Sequence, residues 1–89
     1  MENIWIFQGA GSQFSSGVFE TVEQAETSIH KYKLSGVLTQ YPIGITIYDW
    51  AINNKLFTPK KEEHSQSNFI QKFSSASQEH YHYENGERE

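Results

Sequence analysis

The chain has 89 residues, 36% hydrophobic and 15% aromatic, with a net charge of −4 and a pI near 5.5. A chain of that length makes one small domain with a limited core, and its acidic balance excludes the electrostatic footprint of a duplex-binding protein. It has no cysteine, which excludes a disulfide framework, thiol catalysis and thiolate metal sites and fits a reducing compartment.

The first residues carry no positive charge, and the apolar run Ile4–Phe7 is too short for a signal-peptide core. No segment approaches the roughly 18 apolar residues of a membrane span. The expectation is a cytoplasmic protein bound to neither membrane nor nucleic acid. Ile4-Trp5-Ile6-Phe7 reads as a central strand, because both parities are apolar. A glycine-rich connection follows, Gly9 to Gly17, and Val18-Phe19 returns antiparallel. The Gly9-x-Gly11 spacing lacks the third glycine of a nucleotide loop, since Phe14 stands there, and no helix opens at it.

Thr21-Val22-Glu23-Gln24 is a capping-box pattern. Val22, Ala25, Ile29 and Tyr32 then line one helical face, so a helix is predicted from Val22 to Leu34 with Gly36 as its stop. Residues 37–41 read as a short strand or a connection. The densest apolar stretch runs from Tyr41 to Phe57. There Ile43, Ile45 and Ile47 share one parity, which predicts a strand of about five residues. Asp49 is the expected N-cap of the helical turn that follows it. After the polar loop 58–65, Phe69, Ile70 and Phe73 predict a second short helix starting near Ser65 or Gln66.

Gln78 to Glu84 alternates strictly. Tyr81 and Tyr83 are expected to face the protein and His80, His82 and Glu84 to face solvent, because a one-residue slip would bury both histidines. Asn85-Gly86 stops the strand, and the last residues read as a frayed, disordered tail after a single domain of residues 1–85. The fold class is α+β: a mainly antiparallel sheet of three to four strands with one full helix and one or two short ones.

Several strings carry a resemblance: Ile-Trp-Ile-Phe-x-Gly-x-Gly at 4–11, Ser-Gly-Val-Phe at 16–19 and Leu-Ser-Gly-Val-Leu-Thr-x-Tyr-Pro at 34–42. Tyr-Asp-Trp-Ala at 48–51 and Phe-Ser-Ser-Ala-Ser-Gln-Glu-His-Tyr-His-Tyr-Glu at 73–84 extend it. The chain resembles a family of small, mostly bacterial, stand-alone proteins of unknown function. The resemblance implies a complete domain. It implies no activity, cofactor or site. The departure is at Gln66-Ser67, where the family pattern has Ser-Pro opening the second helix.

Three groups have the residue types for chemistry. His80, His82 and Glu84 share a strand face with a spacing of roughly 6.5–7 Å, within reach of one metal ion, although an ordinary solvent face looks the same. Tyr48, Asp49 and Trp50 put a carboxylate between aromatics, where it serves as a general base in a pocket or, more simply, as a cap. Ser74, Ser75 and Ser77 precede Glu79 and His80, without a nucleophile elbow. No cofactor motif stands out. The reading is a non-enzymatic interaction or regulatory module that binds another protein or a second copy of itself. The alternative is a small metal-binding protein or enzyme using the histidine strand.

Overall fold

The computed structural model describes residues 2–89. They form two compact units, one running to Ile43 and resuming at Gln78–Glu89, the other spanning Gly44–Ser77. The first unit holds strands β1 (Asn3–Gly9) and β2 (Gly17–Phe19), helix α1 (Val22–Tyr32), and strands β3 (Gly36–Pro42), β4 (His80–Glu84) and β5 (Glu87–Arg88). These strands make one antiparallel sheet in the order β2-β1-β3-β4-β5. The sheet has five strands, more than the three to four expected.

Register decides which side chains share a face. Trp5 pairs with Phe19 and Gln40, Phe7 with Leu38, and Leu38 with Tyr81. That face carries the core: Trp5, Phe7, Leu38 and Tyr83 are buried with Ala25 and Ile29 of α1. Tyr81 packs at its margin and stacks on Trp5, ring centroids 5.7 Å apart. The opposite face holds Ile4, Ile6, Val37, Thr39, Tyr41, His80 and His82. No helix of this unit lies over it.

Helix α1 starts where the capping box places it. Thr21 accepts from the Gln24 amide at 3.1 Å, and the Gln24 side chain accepts from the Glu20 amide at 2.9 Å. It ends two residues before the expected Leu34. Lys33 takes the left-handed conformation, φ 54°, and Leu34 donates back to Ile29 O at 3.0 Å. Gly36 is not the stop, because it is needed elsewhere. It faces Gly9 across β1 and β3, and a Cβ there would lie 2.2 Å from Gln8 O. Only a glycine lets the two backbones approach that closely.

The 41–57 stretch departs most from its sequence reading. The strand is β3, residues 36–42, and it ends at Pro42 instead of starting there. Gly44 turns the chain at φ 86°, and Ile43 is exposed. The second unit then opens with helix α2 (Ile47–Asn53), continues through a 3₁₀ turn (Glu62–Ser65), and ends with one turn of helix α3 (Ser67–Ile70). Tyr48, Phe57, Phe69 and Phe73 form its core, with Phe57 and Phe73 centroids 4.9 Å apart. Beyond β4, Asn85 and Gly86, φ 51° and 85°, make a two-residue turn that pairs Glu87 with Glu84. Two positive φ values in succession are what a type I′ hairpin requires.

Candidate functional site

On β4 the alternation sets the faces as expected: Tyr83 is buried, Tyr81 half-buried, and His80, His82 and Glu84 exposed. His80 and His82 come together, ring centroids 5.3 Å apart and planes at 79°. His80 Nδ1 lies 2.7 Å from Gln78 O. A carbonyl only accepts, so Nδ1 carries the proton in this contact and Nε2 is the ring nitrogen left for another partner. Glu84 does not join the pair. Among the described residues, no three His, Cys, Asp or Glu side chains stand where one ion could take all of them.

Tyr48, Asp49 and Trp50 are not brought to one point. Tyr48 turns into the aromatic core of the second unit, Trp50 is half-buried and Asp49 is exposed. Asp49 is not the N-cap either. Thr46 is, with its hydroxyl accepting from the Asp49 amide at 3.0 Å. The spacing Thr46-x-x-Asp49 is itself a capping-box signature, and it was the signal that could have located this helix. Asp49 sits in the first turn, where the helix dipole favours a negative charge. In the serine cluster, Ser75 Oγ accepts from the Ser77 amide at 3.2 Å.

The sequence reading missed a network in the first unit. Glu26 on α1 accepts from the Tyr83 hydroxyl at 2.7 Å and from Arg88 at 2.9 and 2.6 Å. Arg88 also lies over the Tyr81 ring, 4.1 Å from its centroid. The Tyr83 hydroxyl bond, and then Arg88, hold the Glu26 carboxyl below the usual carboxylate range. Burial first, and the bond to Glu26 second, push the Tyr83 phenol up to about 12. His30 Nδ1, 2.7 Å from Gly86 O, and the Gly86 amide, 2.8 Å from Leu34 O, fasten the same turn to the helix.

A cleft of about 620 Å³ opens beside this network, bordered also by Glu23, Thr27 and Glu87. Its strongest groups are committed to each other. Glu26 is already engaged by a phenol and a guanidinium, so it is no free base, and the network straps the β4–β5 hairpin to α1. The signal for it was Asn85-Gly86 between an alternating strand and Glu87-Arg88.

No helix among the described residues is long and apolar enough to cross a membrane. No curated protein and no solved structure gives a significant match to the chain. A family model does match, over residues 4–89, and by that span the chain belongs to DUF7710, a domain of unknown function.

Proposed function

We propose that this protein is a non-enzymatic interaction module that docks another protein on the sheet face opposite α1. The observation that supports this is the division of labour between the two faces. One takes α1 and the buried core, whereas the other leaves Ile4, Ile6, Val37 and Tyr41 half-buried and Val18 63% exposed. Apolar side chains at such positions gain burial from a partner. Regulation of that partner follows from docking. The setting is the cytoplasm of a bacterium, in keeping with the resemblance and with the lack of cysteine. Nucleic acid and membrane have no part in it.

The test is photo-crosslinking in cells with a benzophenone amino acid placed at Thr39 on this face or at exposed Gln24 on α1. Protein adducts from position 39 and none from position 24 support the reading. Adducts from position 24 alone, or none from either, overturn it.

A further inference from the structure

We propose that His80 and His82 form half of a transition-metal site, and that a second copy of this chain completes it across the sheet face opposite α1. The inference rests on the docking reading above and names its partner and its control.

Three observations carry it. The first is spacing. With metal–nitrogen bonds of about 2.0–2.1 Å, two imidazoles on one tetrahedral ion have ring centroids roughly 5 Å apart. The rings here are 5.3 Å apart on adjacent same-face positions of β4. The second is preparation of the ligand. The Gln78 carbonyl fixes the His80 proton on Nδ1, which leaves Nε2 as the donor to metal. A backbone carbonyl on the other ring nitrogen is the usual outer partner of a metal-binding histidine. The third is the charge around the pair. The residues opposite on β3 are the uncharged Thr39 and Val37. The charged neighbours on this face, Glu84 and its cross-strand partner Glu87, are carboxylates that attract a cation, and Arg88 lies on the other face with Glu26.

Two imidazoles are half of what tetrahedral zinc takes, and no third ligand of the described residues joins them. A two-fold axis presents the same patch twice and supplies the missing pair. Imidazole nitrogen selects zinc, nickel or copper over magnesium and calcium, which take oxygen. The ion also answers an electrostatic difficulty. Each copy carries a net charge of −4, and a divalent cation between two copies offsets part of their mutual repulsion. Metal supply then sets whether the apolar face is paired.

The experiment uses the full chain, stripped with EDTA and titrated with zinc chloride by calorimetry, with light scattering behind a sizing column. The expected result is one zinc per two chains and a doubled mass. His80→Asn and His82→Asn should each weaken zinc binding by at least the ~10–100-fold that loss of an outer partner alone costs. Both sites are exposed, and circular dichroism checks that the variants fold. Three results would overturn the inference: zinc bound without a change in mass, variants that bind like the parent, or the same dimer in EDTA. A metal-independent dimer, or crosslinks from position 39 without zinc-driven pairing, would leave the docking reading standing while removing this one.

Discussion

At the residue scale, two caps and one phenol explain much of the local order. Thr46 and Thr21 each take an amide of their own first turn. Thr46→Ala should therefore cost about 0.5–2 kcal/mol in chemical denaturation. Asp49→Asn should cost only the charge–dipole part, about 0.3–1 kcal/mol. The reverse order would make Asp49 the cap. Tyr83 donates to Glu26, and Tyr83→Phe should cost about 0.5–1.5 kcal/mol near neutral pH. The pH dependence has a definite sign. The Glu26 carboxyl lies below its ordinary value in the folded chain. Its contribution is complete above the unfolded value of about 4.3 and is lost as pH falls through the lower folded one. The gap between Tyr83→Phe and the parent should accordingly narrow in acid. In alkali, an ultraviolet titration of the five tyrosines should show one ionising late, near 12, and absent from Tyr83→Phe.

Among the elements, α1 and the β4–β5 hairpin hold each other. Ile29 is 1% exposed and touches the sheet core, so Ile29→Ala should cost about 2–5 kcal/mol. A loss under half a kcal/mol would mean the helix packs by another face. Strand β3 depends on Gly36, where a Cβ would also meet the Phe7 ring at 2.9 Å. Gly36→Ala forces backbone apart from backbone and should cost at least the ~1–3 kcal/mol of overpacking. A neutral result in thermal unfolding would show that β1 and β3 can separate without loss.

For the molecule as a whole, the sheet unit and the helical unit differ in how their amides are protected. Strands β1 and β3 are paired on both sides, and Phe7 and Leu38 are buried in the core. The helices of the other unit are short, seven residues for α2 and four for α3. Short helices rely on packing more than on propensity. Hydrogen exchange should find Phe7 and Leu38 among the slowest amides and those of α3 among the fastest. Equal rates across the two units would contradict this ranking.

The sequence by itself determined what is local. The capping box and the three-and-four spacing located α1, because its first turn and its buried stripe are set by residues within eleven positions. Alternation from His80 to Glu84 determined which ring faced inward, because the strand period is two. It also put His80 and His82 on one face. Gln78 and Glu79 lie ahead of the strand, and Gln78 is buried against that parity. Tertiary structure decided the rest. Ile43, Ile45 and Ile47 have strand parity, but the pairing partner of β1 lies earlier, where Gly36 permits close approach and Pro42 marks the end. The Glu26–Arg88 pair joins residues 62 positions apart. No window of sequence contains both, so Asn85-Gly86 could signal the hairpin but only the fold could show that it is fastened to the helix.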